Sequence, residues 1–129
     1  MSKLTREQII ENKLYLQGVD LRWANLRWAD LEGADLQEAD LMDTDLTWAD
    51  LTGANLRGSK LTGTNLSSAN LYRADLRGAY LQGANLTWAD LTRANLDGAN
   101  LDGAILKKSQ LSSKQLQQIQ GIPNWSEDN

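Results

Sequence analysis

The sequence predicts an all-β solenoid built from four-sided coils, with a short α-helix at each end. The first observation is a leucine at every fifth position from Leu16 to Leu106, nineteen times without interruption. The second is the regularity of the two preceding positions. Fourteen of the seventeen residues that stand two before a leucine, from Ala24 to Ala104, are alanine, and fifteen of the seventeen that stand one before, from Asp20 to Asn100, are Asp or Asn.

A period of five excludes the ordinary helix and strand patterns, which repeat every 3.6 and 2 residues. It fits a solenoid in which Ala-(Asp/Asn)-Leu is a short extended segment and the next two residues form a turn. Side chains alternate along an extended segment, so Ala and Leu point inward and Asp or Asn points outward. Four units then close one coil of twenty residues, and nineteen units give nearly five coils.

The run Ala-Asn-Leu-Arg-Trp at residues 24–28, with its copies over about residues 14–111, resembles the pentapeptide-repeat family. That resemblance implies a right-handed quadrilateral β-helix. It implies little about activity, because most members of the family have no assigned one. The best understood members bind DNA gyrase or topoisomerase by resembling duplex DNA.

Residues 1–13 are predicted to form an N-terminal capping segment, with a helix over residues 5–13. Thr5 and Gln8 make a capping-box pattern, and Glu7 lies in the first turn. The apolar side chains of this segment are expected to cover the open first coil: Leu4, Ile9, Ile10 and Leu14. A helix that binds a partner is the alternative.

Residues 112–129 are predicted to form a C-terminal capping helix and a tail, which leaves residues 14–111 for the β-helix. The predicted helix runs over residues 112–122, with a second capping box at Ser112 and Gln115 and a stop at Gly121 before Pro123. Leu116, Ile119 and Ile122 are expected to cover the last coil. Residues 124–129 are expected to be a loose tail in which Trp125 alone docks.

The last residue of each unit is predicted to decide its turn type. Glycine at that position permits the positive φ of a type II turn. Larger residues disfavour a positive φ, so type I turns are expected at eight corners: Trp23, Trp28, Glu38, Asp43, Trp48, Arg73, Trp88 and Arg93.

Composition argues against catalysis and against several kinds of partner. The chain has no Cys and no His, so the usual nucleophiles, general bases and zinc ligands are missing. A net charge of −4 gives no reason to expect direct nucleic acid binding. The first residues contain no apolar run, so no signal peptide or membrane association is expected. The sequence therefore predicts a cytoplasmic, non-enzymatic protein without a cofactor.

Acidic residues are concentrated in one segment. Eight lie between Trp28 and Leu56, where there is no basic residue. Twenty-residue coils place Asp30 over Asp50 and Asp20 over Asp40, and such pairs could hold a divalent cation. The favoured interpretation is that Asp and Asn side chains accept hydrogen bonds from backbone amides at the corners, so no metal site is predicted.

Tryptophans form a column at one corner, where Trp28, Trp48, Ser68 and Trp88 follow one another at intervals of twenty. Trp28 and Trp48 are predicted to stack, and Trp23 to lie one corner away. With the nearby carboxylates of Asp30, Asp45 and Asp50, these tryptophans are the candidate interaction surface. The alternative is that each Trp packs over its own corner and contacts no partner.

The predicted function is a monomeric protein-interaction module or structural scaffold whose partner is another protein. One alternative is a DNA-mimicking inhibitor of gyrase or topoisomerase, favoured by the acidic segment. A second alternative is a ligand binder that uses the exposed Trp column.

In the interior, Thr44 and Thr64 occupy inward positions, and their hydroxyls are expected to find hydrogen-bond partners inside the tube.

Overall fold

The computed structural model describes residues 3–126. Met1 and Ser2 of the predicted N-terminal segment, and residues 127–129 of the predicted tail, lie outside the described residues. The helices are α1 (Arg6–Glu11), α2 (Ser113–Gln118) and two 3₁₀ turns (Lys13–Tyr15 and Lys108–Gln110). Strands β1 (Ile105–Leu106) and β2 (Asn124–Trp125) pair in parallel.

Between these ends, the chain winds into coils of twenty residues. Parallel bridges join residues twenty apart, from Asp20 with Asp40 to Asn100 with Gln120. The hydrogen bonds repeat with the same register: the Leu26 amide donates to the Asp45 carbonyl at 2.8 Å, and the Asp45 amide donates to the Ala24 carbonyl at 3.0 Å. Every coil is thus tied to the next on all four sides, as the five-residue period predicts.

The core is a narrow column of leucine and alanine inside the coils. All nineteen leucines of the repeat are buried, and so is nearly every alanine two residues before them. Three polar residues replace alanine and bond to carbonyls within the tube. Thr44 donates to Leu21 O at 2.9 Å, Thr64 to Leu41 O at 2.6 Å, and Ser59 to Leu56 O at 2.8 Å. The expectation for the two threonines is confirmed.

The expectation of type I turns is wrong at all eight corners where it was made. Trp23, Trp28, Glu38, Asp43, Trp48, Arg73, Trp88 and Arg93 have φ between 58° and 62°, close to the values of the corner glycines. Hydrogen bonds between coils explain the difference. The amide of a corner residue, for example Trp28 N, donates to the next coil at Thr47 O (3.0 Å), and Ala29 N closes the turn on Leu26 O. The bond to the next coil recurs at six of these corners and the closing bond at all eight, so the same turn geometry is kept whatever the residue.

Helix α1 has the predicted capping box. Thr5 Oγ1 accepts from Gln8 N and Gln8 Oε1 accepts from Thr5 N. The helix covers only Arg6–Glu11, because the chain tightens into the 3₁₀ turn that follows. Ile9 is buried in the core and Ile10 packs partly against it, whereas Leu4 and Leu14 are exposed. Two of the four predicted covering residues therefore do not cover the coil.

Helix α2 has the second predicted capping box, between Ser112 and Gln115, but ends at Gln118 rather than at residue 122. Beyond it the chain rejoins the coil pattern, since Gln120 N donates to Ala99 O at 2.8 Å. Gly121 does not stop the helix. It lies where a Cβ would be 2.7 Å from the amide nitrogen of Asp102, so glycine permits close stacking of the chain on the coil below.

Which residues cover the last coil also differs from the prediction. Ile119 packs partly against the core, but Leu116 and Ile122 are exposed. The predicted loose tail is partly ordered: Trp125 packs against the core from β2, and Ser126 N donates to Leu106 O at 2.8 Å. Backbone pairing with β1, rather than apolar side chains on a helix, holds this end.

Within residues 3–126, no helix is both long enough and apolar enough to cross a membrane.

Candidate interaction surface

The tryptophan column is built by the hydrogen bonds between coils. Trp28 N donates to Thr47 O and Trp48 N donates to Ser67 O, each at 3.0 Å, so the same corner repeats one coil further on. Because φ is 60° and 62° at these residues, the two side chains leave the backbone in the same direction. The indole rings lie 4.9 Å apart between centroids with 3° between their planes. The predicted stack is confirmed.

The column is an apolar feature open to solvent. Trp28, Trp48 and Trp88 are 64%, 51% and 72% exposed. Ser68 interrupts the column between Trp48 and Trp88, as the twenty-residue spacing predicts. Side chains of this size are seldom so open, and an exposed aromatic row on a rigid backbone is a feature of binding surfaces.

The three predicted carboxylates lie on the two faces beside this corner. Asp30 and Asp50 are bridged one above the other on one face, and Asp45 is bridged to Asn25 on the other. Lys13 Nζ lies 3.3 Å from Asp30, and Arg27 lies 3.7 Å from Asp45. The hydrogen bond from the Glu32 amide, with a smaller effect of Lys13, holds the pKa of Asp30 below its usual value.

Trp23 lies at the adjacent corner, and cationic side chains rather than a second indole lie over its ring. Lys3 Nζ is 4.6 Å from its ring centroid and Arg22 Cζ is 5.1 Å away. Trp88 also has a cation over its ring, Lys107 Nζ at 5.0 Å. Sequence reasoning missed these cation–π contacts. The signal for Lys107 was present, because it stands one coil after the residue that precedes Trp88, whereas that for Lys3 was not, since it belongs to the irregular N-terminal segment.

Asp and Asn side chains make the predicted corner contacts. At fifteen positions the side-chain Oδ1 accepts a hydrogen bond from the amide two residues later: Asp20, Asn25, Asp30, Asp35, Asp40, Asp45, Asp50, Asn55, Asn65, Asn70, Asp75, Asn85, Asp90, Asn95 and Asn100. Carboxylate oxygens of Asp30, Glu32 and Asp50 approach within 4.8 Å of one another. The Asp30 carboxylate accepts from the Glu32 amide and from Lys13, and the Asp50 carboxylate accepts from the Thr52 amide.

The acidic segment does not form one acidic face. Asp30 and Asp50 lie on one side of the coil, and Asp35, Asp40 and Asp45 lie on the other three. This follows from the fold, because residues five apart occupy successive sides. Arginines from the previous coil approach two of these carboxylates, Arg22 at 3.7 Å from Asp40 and Arg27 at 3.7 Å from Asp45. The carboxylates of this segment therefore form a belt around the coil, here called the acidic belt, and the two arginines partly neutralise its charge.

Comparison with known proteins agrees with this architecture. The family model described as pentapeptide repeats matches in eight copies over residues 20–58, 39–78, 49–87 and 69–107. The chain belongs to the pentapeptide-repeat family, and its fold is a right-handed β-helix solenoid. No curated protein matches the sequence.

Solved cyanobacterial pentapeptide repeat proteins are similar in structure. The chain is 36% identical to alr5209 from Nostoc PCC 7120, covering 85% of this chain and 92% of that one, with a TM-score of 0.65. It is 42% identical to Rfr23 from Cyanothece 51142, with 62% and 54% covered and a TM-score of 0.62. The chain thus spans about half the length of Rfr23. HetL from Nostoc sp. PCC 7120, described as involved in regulation of heterocyst differentiation, is 33% identical over 84% of this chain and 51% of that one, with a TM-score of 0.41.

Proposed function

We propose that this protein is a non-enzymatic protein-interaction module or scaffold that contacts a partner protein through the tryptophan column. The contact surface consists of Trp28, Trp48 and Trp88 with the flanking carboxylates Asp30, Asp45 and Asp50, and Trp23 extends it to the adjacent corner. The observation that carries the proposal is the open stack of Trp28 on Trp48.

Rigidity makes this stack suited to binding. Each ring is attached to a corner whose amide is bonded to the next coil, so little conformational freedom remains to be lost when a partner docks. Aromatic side chains dominate the affinity of many protein interfaces, and tryptophan is the most enriched among them. The carboxylates on both sides of the corner add a polar rim that favours a basic partner surface.

The ends of the solenoid are part of the same proposal. We infer nearly five coils, closed by α1 and α2, so that a partner meets the sides of the column and not its ends. Side chains that bond to end-coil carbonyls support this: Lys3 Nζ donates to Arg22 O at 2.9 Å, Arg6 donates to Asn25 O at 3.0 Å, and Gln115 donates to Ala94 O at 2.9 Å. The division into residues 1–13, 14–111 and 112–129 and the cytoplasmic location stay predictions.

The two alternatives also stay predictions. Imitation of DNA requires a continuous acidic surface, whereas the eight acids of the central segment are distributed around the coil and two of them lie near arginines. A supercoiling assay with gyrase tests it. Binding of a flat ligand to the Trp column is tested by tryptophan fluorescence.

The central tryptophan of the surface gives the test of the proposal. Trp48→Ala is expected to weaken binding of a partner protein by ~1–3 kcal/mol, because it removes an aromatic anchor and unstacks Trp28. The partner is identified by quantitative comparison of proteins retained by the wild type and by the variant, and its affinity is then measured by titration.

Tyr80→Ala is the matched control, because Tyr80 is an exposed aromatic residue on another side of the coil. It should leave the affinity unchanged, and circular dichroism should show both variants folded. Equal affinity of the wild type, Trp28→Ala and Trp48→Ala for the partner would contradict the assignment and move the contact to the acidic belt.

A further inference from the structure

We propose that the gap at Ser68, between Trp48 and Trp88, is a slot that receives the guanidinium group of an arginine from the partner protein. This inference rests on the proposed function and specifies the chemistry of the partner. The slot is defined by Trp48, Ser68 and Trp88 at one corner and by Asp50 and Asp90 on the adjacent face.

Spacing between coils gives the slot its width. One coil separates Trp28 from Trp48, and their rings are 4.9 Å apart. Two coils separate Trp48 from Trp88, which corresponds to about 9.6 Å at ~4.8 Å per coil. A planar group midway would lie about 4.8 Å from each ring, within the range for stacking and for cation–π contact. Ser68 is too small to fill this space.

Both rings have their unoccupied face toward Ser68. Trp28 covers one face of Trp48. Lys107, which belongs to the coil after Trp88, lies over the Trp88 ring at 5.0 Å. The remaining face of each ring is therefore turned toward the intervening coil, where Ser68 stands.

Charge beside the slot favours a cation. Asp50 and Asp90 lie in the same outward column, one coil before and one coil after Asn70. In each, Oδ1 accepts one backbone amide, from Thr52 at 3.0 Å and from Thr92 at 2.9 Å. Among the described residues neither carboxylate has an ion pair, so both negative charges are available to a partner.

Within the protein itself, cations lie over two of the exposed tryptophan rings. Lys3 and Arg22 lie over Trp23, and Lys107 lies over Trp88. Arginine fits the slot better than lysine, since its guanidinium is planar, stacks on aromatic faces and is weakly hydrated. A planar cation between two indoles beside two carboxylates satisfies all of these features at once.

Short peptides test the chemistry directly. Three blocked pentapeptides, identical glycine-serine sequences with a central arginine, citrulline or lysine, are titrated into the full chain while the indole N–H signals are followed by NMR. The arginine peptide should shift the Trp48 and Trp88 signals and leave Trp23 unshifted. It should bind about threefold to tenfold more tightly than the lysine and citrulline peptides. If the citrulline peptide binds as tightly as the arginine peptide, the slot does not require a charge. If the lysine peptide binds as tightly as the arginine peptide, the slot does not require a planar cation.

Two substitutions test the slot. Ser68→Trp fills it and should abolish the arginine-dependent shifts, whereas Ser68→Ala leaves it open and should retain them. Both variants are expected to fold, because Trp48 and Trp88 already occupy this corner with φ of 62°; circular dichroism is the check. Unchanged binding of the arginine peptide by Ser68→Trp would overturn the proposal.

The same variants separate this inference from the proposed function. If Trp48→Ala weakens binding of the partner protein and Ser68→Trp does not, the tryptophan surface stands and the slot is wrong. If neither substitution affects the partner, both are wrong. If Trp48→Ala and Ser68→Trp both weaken binding of the partner protein and Ser68→Ala does not, the result supports the slot.

Discussion

At the scale of single residues, the leucine and the corner residue of each unit contribute to stability in different ways. The leucine must fill the interior of its coil, where it is buried in the core with the other leucines and the alanines of the repeat. The corner residue instead faces solvent and has space, but its backbone is held at positive φ. Stability therefore depends on side-chain volume at the first position and on backbone conformation at the second.

Leu56 tests the contribution of the leucine. It is fully buried in a central coil, with 0% of its surface exposed. Leu56→Ala is expected to lower the free energy of unfolding by about 2–5 kcal/mol, because coils that are bonded on four sides cannot collapse around the cavity. Chemical denaturation measures this, and a loss below about half a kcal/mol would contradict the inward assignment of the leucines.

Gly53 tests the contribution of the corner residue. Its φ is 65°, and a Cβ added there would meet no atom within 4 Å, so the only expected penalty is conformational. Gly53→Ala should destabilise the protein by about 1 kcal/mol. The converse substitution in the same column, Arg93→Gly, should be neutral or stabilising. A thermal shift of the same sign for both variants would show that φ does not decide the stability of the corners.

At the scale of elements, glutamine side chains end the ladder at the C-terminal coil. Gln115 Nε2 donates to Leu91 O at 2.7 Å and to Ala94 O at 2.9 Å. Gln110 repeats the arrangement five residues earlier, donating to Leu86 O and Ala89 O. Each side-chain amide takes the place of a backbone amide that a further coil would supply.

Gln115→Met tests this arrangement. The substitution keeps the length of the side chain but leaves Ala94 O without its donor, so it should cost about 1–3 kcal/mol of unfolding free energy. Gln117→Met is the matched control on the same helix, because Gln117 is exposed, and should change stability by less than about half a kcal/mol. Equal effects of the two substitutions in urea denaturation would argue against a role for Gln115 in closing the coil.

At the scale of the whole molecule, a stack of coils could extend by pairing end to end, because the backbone groups of its terminal coils face outward. Here Lys3 and Arg6 bond to carbonyls at one end and Gln110 and Gln115 at the other. Ile9 adds apolar cover at the first coil. The two ends thus discourage association of copies.

We therefore predict a monomer. Light scattering at micromolar concentration should give a mass close to the 14.3 kDa of the chain, unchanged on tenfold dilution. A stable dimer would contradict the closed ends and would strengthen the DNA-mimic alternative, because end-to-end pairing would lengthen the column.

The sequence by itself determined the coil, the identity of the buried residues within the repeat and the position of the tryptophan column. These follow from a strict period: once five residues make one side, residues twenty apart must stack. The stacking of Trp28 on Trp48 and the pairing of Asp30 with Asp50 needed no further information. The bonds of Asp and Asn to nearby amides were also predictable, because they are local.

Only the tertiary structure decided the remaining features, because each depends on contacts between segments that are distant in the chain. Bonds between coils impose a positive φ on Trp28 and Arg73 against their local preference. At the C-terminus, pairing of residues 120–126 with the coil below ends α2 early and leaves Ile122 exposed. Lys3, which lies over Trp23, belongs to the irregular N-terminal segment, so its contact could not be read from the repeat. The repeat in the sequence determines the coil and the residues that stack within it. Contacts in three dimensions determine the structure of the two ends and which side chains lie over the exposed rings.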